Sequence, residues 1–181
     1  MRITGGRLKG LRLSTPRGRG TRPMTERVRK ALFDILSEKV LEARVLDLFS
    51  GSGALGIEAL SRGAKEVIFV EADLRVCEVI RRNLSHCSLE EKARVIRGVL
   101  PRALSRVPPG PYDLIFLTPP YRSGLAAKVL QALSEAWLSP EGVLVVEEAR
   151  EEEVTPPPGL RERDRRVYGQ TVLYFYGRSR D

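Results

Sequence analysis

Strand-length apolar runs alternate with helix-length stretches through most of this chain, and that alternation restricts the fold more than any other feature. The runs are Arg44–Phe49, Glu66–Val70, Ala93–Ile96, Tyr112–Leu117 and Val143–Val146. Helical patterns near residues 54–62, 73–85, 100–106 and 124–136 separate them. Apolar strands joined by helices are typical of a parallel sheet that is covered on both faces. The sequence therefore predicts an α/β fold with a mostly parallel sheet.

Two β-rich runs near the C-terminal end predict a hairpin added to this sheet. They cover Arg161–Tyr168 and Thr171–Tyr176, and Gly169 and Gln170 join them. A turn this short joins antiparallel strands, so one of the two strands must run against the parallel ones.

The length of the chain is enough for one compact domain. It has 181 residues, of which 42% are hydrophobic, and a chain of this size hides roughly 70% of its unfolded surface. No apolar run approaches the roughly 20 residues that span a bilayer, and we expect a cytoplasmic protein without membrane contact. Cys77 and Cys87 fit neither a disulfide framework nor a paired zinc site, so we expect structural thiols and no metal.

The net charge of +8 is concentrated at the N-terminus. Residues 1–30 contain ten basic side chains and one acid, whereas the remaining 151 residues contain 21 basic and 22 acidic groups. A nearly neutral body with an Arg-rich arm is typical of proteins that contact nucleic-acid phosphates. A solvated tail that only aids solubility is the alternative, although glycines and prolines in the arm favour shaped turns. The expected phosphate contacts are Arg7, Lys9, Arg12, Arg22 and Arg27.

Residues 1–30 also carry signals of local structure. Ile3-Thr4 and Leu11–Leu13 flank a glycine-rich loop and predict a small hairpin. A helix is predicted from Thr25, with its basic side chains, Arg29 among them, facing away from the apolar side. The sequence thus predicts a basic extension, residues 1–30, and a body, residues 31–181. The expected apolar side of the helix consists of Val28, Leu32, Ile35 and Leu36.

A glycine-rich loop follows the first predicted strand. Gly51, Gly53 and Gly56 match the dinucleotide fingerprint at a helix start, where backbone N–H groups are free to meet a ligand. Glu71 ends the second strand 20 residues after Gly51, where an acid binds a pair of ribose hydroxyls. The loop alone does not show whether the cofactor is NAD or another adenosine cofactor. The alternative is a tight strand-to-helix turn that binds no ligand.

Two further features favour S-adenosylmethionine as the cofactor. Asp47 lies four residues before Gly51, where a carboxylate would repel a pyrophosphate but bind an ammonium group, directly or through water. The loop Thr118–Tyr121 follows the fourth strand. Ligands of a doubly wound sheet lie beyond the carboxyl ends of the strands at the order switch. We therefore expect this loop and the glycine loop to share one pocket.

Motifs spread over nearly the whole chain carry a resemblance to a known family. They are Arg2-Ile3-x-Gly5-Gly6, Thr21-Arg22-Pro23-x-Thr25-x-Arg27-Val28-Arg29, Leu46-Asp47-Leu48-Phe49-x-Gly51-Ser52-Gly53, Phe69-Val70-Glu71, Pro119-Pro120-Tyr121 and Arg166-x-Tyr168-Gly169-x-Thr171. With these motifs the chain resembles the RsmD family of bacterial 16S rRNA (guanine-N2)-methyltransferases. The run around the glycine loop is common to many methyltransferases, whereas the block from Thr21 to Phe33 is particular to this family.

The resemblance implies a Rossmann-like class I methyltransferase. Such an enzyme moves a methyl group from S-adenosylmethionine to the exocyclic N2 of a guanine in 16S rRNA, on assembled or assembling 30S particles, and we expect it to be a monomer. In the family arrangement, the side chain of Thr118 and the carbonyl of Pro119 accept the amine hydrogens, while Tyr121 stacks on the flipped base. The implied cofactor contacts are Asp47, Phe49, Gly51, Gly53, Glu71, Ala72, Val99 and Leu100.

Two positions depart from the family pattern. Thr118 stands where the family usually has an acid or Asn, and Val99 stands where it usually has Asp. Val99 offers no acceptor for the adenine amine, and Thr118 offers an oxygen without negative charge. These departures leave open a non-catalytic RNA-binding or assembly factor, or a methyltransferase for another exocyclic amine such as that of DNA adenine. An NAD-dependent enzyme is the weaker alternative, because no catalytic His or Lys lies near a strand end.

Overall fold

A seven-stranded sheet forms the centre of a computed structural model that describes residues 1–17 and 24–180. The strands are β1 (Arg44–Leu48), β2 (Glu66–Glu71), β3 (Ala93–Arg97), β4 (Tyr112–Leu117), β5 (Leu138–Ala149), β6 (Leu160–Tyr168) and β7 (Thr171–Arg178). The α-helices are α1 (Glu26–Leu36), α2 (Ala54–Ser61), α3 (Leu74–His86) and α4 (Leu125–Ala132).

The order of the strands confirms the predicted α/β class. In the sheet they run β3-β2-β1-β4-β5-β7-β6, and β1 to β5 are parallel. The C-terminal hairpin adds β7 antiparallel to β5, with β6 antiparallel to β7 at the edge. The chain order reverses between β1 and β4, so a switch point lies beyond the carboxyl ends of these two strands.

The two faces of the sheet are covered by different parts of the chain. Alternate residues of β1 enter opposite layers, since Val45 packs with the first three helices and Leu46 packs with α4. Ile3 and Leu13 of the N-terminal arm join the layer of the first three helices. The arm is therefore packed onto the body, and the predicted boundary at residue 30 falls inside α1.

The orientation of α1 corrects one prediction. The helix does begin after Thr25, whose Oγ1 accepts the N–H of Val28 at 3.2 Å and caps the first turn. Its buried side, however, includes Arg29 at 1% exposure, whereas Val28 is only half-buried. The prediction that Arg29 faces away from the body is wrong, because its guanidinium forms an ion pair with the buried carboxylate of Glu58 on α2.

Four predicted elements differ from the structure in type or length. The segment 100–106 forms a 3-10 helix over Arg102–Arg106 in place of an α-helix. The helix predicted over 124–136 ends at Ala132, because Leu133 turns to extended backbone and packs its side chain into the core. The predicted N-terminal hairpin has a single antiparallel bridge, between Arg2 and Arg12. The fifth strand is longer than predicted, starting at Leu138 and ending at Ala149.

Both cysteine thiols are buried, as the sequence predicts, and burial raises the pKa of each. Within the described part of the chain, none of the helices has both the length and the apolar character that a membrane crossing requires.

Candidate active site

The glycine loop leaves β1 at the switch point and turns into α2. Its backbone is left-handed at Phe49 (φ 63°), Gly51 (φ 55°) and Gly53 (φ 82°). A Cβ at Gly51 would meet no atom within 4 Å, so this stretch of backbone borders open space. A Cβ at Gly56 would lie 2.3 Å from the ring of Phe69, which shows that α2 packs directly on β2. The loop therefore exposes backbone at the start of α2, where a ligand could approach it.

Asp47 is buried in β1, at 1% exposure. Its Oδ2 accepts the backbone N–H of Gly56 at 3.1 Å, whereas its Oδ1 has no hydrogen-bond partner among the described residues. Burial raises the pKa of Asp47 well above its ordinary value, the bond from Gly56 lowers it, and the charge of Glu71 raises it further. A buried oxygen without a partner is costly, and a cationic or hydrogen-bond-donating ligand would offset that cost.

Glu71 at the end of β2 is tied to the glycine loop. Its Oε1 accepts the N–H of Gly51 at 3.2 Å, and its Oε2 accepts the N–H of Asp73 at 3.0 Å. The side chain is half-buried, so the carboxylate stays accessible from the open side of the loop. This arrangement places one anionic acceptor beside the left-handed turn at Gly51.

The other predicted cofactor contacts differ in exposure. Ala72 is exposed, and Val99 is 66% exposed, which is unusual for an apolar side chain of its size. Leu100 is 3% exposed and packs in the core layer of α4. The chain after β3 is held near β2 by the N–H of Gly98, which donates to the carbonyl of Glu71 at 2.9 Å. The backbone around Val99 therefore lies beside the end of β2.

The loop after β4 contacts the glycine loop directly. Leu48 and Leu117 are paired at the ends of β1 and β4. The N–H of Thr118 donates to the carbonyl of Leu48 at 3.3 Å, and its Oγ1 donates to the carbonyl of Phe49 at 3.3 Å. Pro119 is buried, whereas Thr118 and Tyr121 are half-buried. The two loops thus border one region at the switch point.

Sequence reasoning missed three polar residues around the end of this loop. The hydroxyl of Tyr121 lies 2.7 Å from Oγ1 of Thr171, and Glu147 also lies close to it. Burial raises the pKa of Tyr121 to about 12 and that of Glu147 to about 7. Glu148 accepts the N–H of Arg122 at 3.1 Å. Two adjacent acids directly after the apolar run Val143–Val146 were the available signal, because buried carboxylates require specific partners.

Four of the five predicted phosphate contacts lie on the surface of the arm and of α1. Arg7, Lys9, Arg12 and Arg27 are exposed, and Arg22 lies outside the described residues. An open groove of about 350 Å³ separates the arm from the first turns of α1. Besides Ile3, Thr4, Gly10 and Glu26, it is lined by four basic residues, Arg2, Lys9, Arg27 and Lys30. This part of the surface has the charge and the shape to receive an anionic chain.

A buried ionic cluster fastens the arm to α2. Glu58 is 0% exposed. Its carboxylate accepts a hydrogen bond from Nε of Arg29 at 3.0 Å and another from Nε of Arg62 at 2.9 Å. It also accepts the backbone N–H groups of Thr4 and Gly5, each at 2.9 Å. Arg29 in turn donates to the carbonyl of Arg2. These bonds explain why Arg29 is turned inward and is not available for phosphate contact.

A second tie joins the arm to the glycine loop. Asn83 of α3 is 2% exposed, and its Oδ1 accepts the N–H of Ser14 at 2.8 Å. Its Nδ2 donates to the carbonyls of Ser14 and Ser52, each at 2.9 Å. The basic arm and the candidate cofactor loop are therefore held together by one buried amide.

Comparison with known proteins finds relatives over nearly the whole chain. The family model described as conserved hypothetical protein 95 matches residues 1–177. The chain is 35% identical to ribosomal RNA small subunit methyltransferase D of Escherichia coli K12, over 99% of this chain and 90% of that protein. It is 36% identical to the protein of the same name from Haemophilus influenzae, over 87% and 83%.

A solved structure agrees with these relatives. The structure titled "Putative methyltransferase yhhF from Escherichia coli" superposes with a TM-score of 0.85 at 35% identity, covering 100% of this chain and 99% of that one. A TM-score of this size, over nearly complete chains, shows that the two proteins share one fold.

Proposed function

This chain belongs to the conserved hypothetical protein 95 family, the family of the small-subunit rRNA methyltransferase D proteins, and we propose that it methylates N2 of a guanine in 16S rRNA. The methyl donor in this proposal is S-adenosylmethionine. The observation that carries the proposal is the hydrogen bond between Thr118 and Phe49, because it joins the loop Thr118–Tyr121, the candidate base-binding loop, to the glycine loop, which would hold the donor.

The residues at the switch point fit the proposed cofactor. The unpartnered Oδ1 of Asp47 suits an ammonium group, directly or through water. The carboxylate of Glu71 suits the ribose hydroxyls, and the open space at Gly51 lets a ligand approach the backbone. Ala72, Val99 and the backbone of Leu100 are proposed to border the adenine. When bound, S-adenosylmethionine supplies an electrophilic methyl group on a sulfonium.

The base-binding loop has to activate a poor nucleophile. The lone pair of guanine N2 is delocalised into the ring, so acceptors for its two hydrogens help to hold the amine in line and to pyramidalise it. Thr118 donates its own proton to the carbonyl of Phe49, which leaves its lone pairs free to accept an amine hydrogen. The carbonyl of Pro119 is the proposed second acceptor, and the ring of Tyr121 is the proposed stacking surface. The methylated amine is cationic and releases its proton to water without a dedicated base.

One experiment tests the proposal against its alternatives. The wild-type protein is incubated with labelled S-adenosylmethionine and with 30S particles, naked 16S rRNA or duplex DNA. We expect label at guanine N2 of 16S rRNA. Label on DNA adenine would assign another exocyclic amine, and binding of rRNA with no label on any substrate would assign a non-catalytic factor.

Thr118 is expected to be a working but weak acceptor. Charged hydrogen bonds contribute ~1.5–3 kcal/mol and neutral ones ~0.5–1.5 kcal/mol, so the missing charge corresponds to about 1.4 kcal/mol, or roughly tenfold in rate. Thr118→Asp adds this charge but gives up the bond to the carbonyl of Phe49, so it should speed single-turnover methylation of 30S particles by at most about tenfold. Thr118→Val keeps the shape but removes the oxygen, and it should slow the same step.

Thr118→Ser is the matched control, because it keeps the hydroxyl next to Phe49, and its rate should stay close to that of the wild type. Equal rates for Val and Thr would mean that the side chain takes no part in the reaction. If the wild type is inactive and Thr118→Asp restores activity, the alternative of a non-catalytic RNA-binding or assembly factor is favoured.

The basic arm is proposed to bind rRNA phosphates. Neutralising Arg7, Lys9 and Arg12 together should weaken RNA binding and flatten its dependence on salt by up to about 3 units of slope, near one per phosphate contact. The measurement is RNA affinity across a salt series. The matched control neutralises Arg75, Arg81 and Arg82, which are exposed on α3. This variant loses the same amount of positive charge as the arm variant. If the arm variant had the same salt slope as the wild type, the arm would not bind phosphates and would serve solubility alone.

A further inference from the structure

The base-binding loop is tethered on two sides. On one side, Thr118 is bonded to the backbone of Leu48 and Phe49 at the end of β1. On the other side, the chain from Tyr121 to Arg122 is bonded to residues of β5 and β7. The first tether fixes the loop relative to the donor site, and the second fixes it relative to the C-terminal hairpin.

The side-chain part of the second tether is the pair of hydroxyls of Tyr121 and Thr171, 2.7 Å apart. Thr171 is the first residue of β7 and is paired with Ala149 at the end of β5. Both hydroxyls carry a proton at neutral pH, so either can be the donor in this bond, and burial raises the pKa of Tyr121 to about 12. The carboxyl of Glu147, at 5% exposure, is the second polar group beside this hydroxyl.

The backbone part of the second tether lies one residue further along. Arg122 has a left-handed backbone (φ 57°), which is unfavourable for a residue with a side chain. Its N–H donates to Oε1 of Glu148 at 3.1 Å, and Glu148 is 3% exposed. A strained residue persists only when its surroundings hold it, and here a buried carboxylate of β5 does so.

We propose that Thr171 is a positioning residue for methyl transfer, which acts by fixing the ring of Tyr121 through the hydroxyl pair. The inference rests on the proposed function, since it assigns Thr171 a part in presenting the base to the donor. A tyrosine ring turns about two side-chain bonds, and a hydrogen bond at its far end removes that freedom before the base arrives. A stacking surface held in advance lowers the entropy that has to be lost on reaching the reactive geometry.

The test compares Thr171→Val with Thr171→Ser. Valine is β-branched and nearly isosteric with threonine, so β7 keeps its backbone preference while the hydroxyl is lost. We expect Thr171→Val to lower kcat on 30S particles by about three- to tenfold, the range of one neutral hydrogen bond, with KM for S-adenosylmethionine unchanged. Thr171→Ser keeps the hydroxyl, so its kcat should stay close to that of the wild type. Tyr121→Phe removes the same bond and also the contact with Glu147, so it should be at least as slow as Thr171→Val, and the double variant should be no slower than Tyr121→Phe.

Tyr174→Phe is the matched control. Tyr174 lies on the same strand, and its hydroxyl donates to the carbonyl of Glu152 at 2.9 Å, outside the base-binding loop. We expect kcat in this variant to be that of the wild type. A Thr171→Val variant with wild-type kcat, or a Thr171→Ser variant as slow as the valine form, would overturn the proposal.

A second readout does not depend on catalysis. Amide hydrogen exchange at Arg122, whose N–H is bonded to Glu148, reports by NMR whether the loop is fixed. We expect faster exchange in Thr171→Val and Tyr121→Phe than in the wild type and in Tyr174→Phe, and unchanged exchange would contradict the role of Thr171. A wild type that methylates no form of rRNA would refute the proposed function, while the exchange rates would still decide whether Thr171 holds the loop.

Discussion

Glu58→Gln is expected to lower the free energy of unfolding by about 3–5 kcal/mol, the usual cost of breaking a buried ion pair by removing one charge. Glutamine has nearly the same shape, so the loss is electrostatic. The guanidinium of Arg29, at 1% exposure, would remain buried without an anion, and its Nη1 already has no hydrogen-bond partner among the described residues. Urea denaturation followed by circular dichroism measures the change.

The control for this prediction is Glu141→Gln. Glu141 also pairs with an arginine, Arg180 at 2.8 Å, but both side chains are more than half exposed. An exposed pair contributes about 0–1 kcal/mol, so this variant should unfold close to the wild type. If Glu58→Gln cost no more than Glu141→Gln, the buried cluster would not stabilise the fold.

The same substitution should loosen the N-terminal arm before the body unfolds. Glu58 accepts the N–H groups of Thr4 and Gly5, and a glutamine amide offers one weaker acceptor in place of two anionic oxygens. Because the arm also carries the proposed phosphate contacts, RNA affinity should fall together with stability. The arm is thus a surface whose position depends on a buried charge of α2.

The sheet could be predicted from the sequence because its apolar runs have the length of strands and are separated by helix-length stretches and turn residues. The apolar runs of β1 to β4 end within a residue or two of their observed ends, and the hairpin of β6 and β7 turns at Gly169 and Gln170 as expected. Parallel strands buried on both faces have a composition that few other elements share. The strand order then placed the two loops together, since both follow strands at the switch point.

Local patterns fail where a distant partner decides the conformation. Arg29 lies in a stretch of basic residues typical of a solvated helix face, but Glu58, 29 residues further along the chain, and the carbonyl of Arg2 bind it on the buried side. The hydroxyl pair of Tyr121 and Thr171 joins positions 50 residues apart. Helical periodicity at 100–106 could not separate an α-helix from the 3-10 helix that forms. These contacts depend on tertiary packing, which residue spacing does not contain.

Glu71→Ala is expected to weaken S-adenosylmethionine binding by roughly 10- to 150-fold, the effect of losing one charged hydrogen bond of about 1.5–3 kcal/mol. The proposed partners of the carboxylate are the ribose hydroxyls. Titration calorimetry with wild type and variant measures the change in affinity. Asp73→Ala is the control, because Asp73 is a carboxylate two residues away that caps α3, with its Oδ1 accepting the N–H of Arg75 at 2.8 Å. It should cost stability of about 1 kcal/mol and leave cofactor affinity unchanged.

A loss of affinity in Glu71→Ala has two physical sources, because Glu71 also accepts the N–H of Gly51 and so shapes the glycine loop. S-adenosylhomocysteine and its 2′-deoxy analogue separate them. If Glu71 binds the ribose, the wild type should prefer the hydroxylated ligand and the variant should lose most of that preference. If Glu71 acts only through Gly51, both ligands should weaken by the same factor and the preference should persist. Persistence would overturn the placement of the ribose, since a difference between two ligands that survives loss of the carboxylate cannot come from a bond to it.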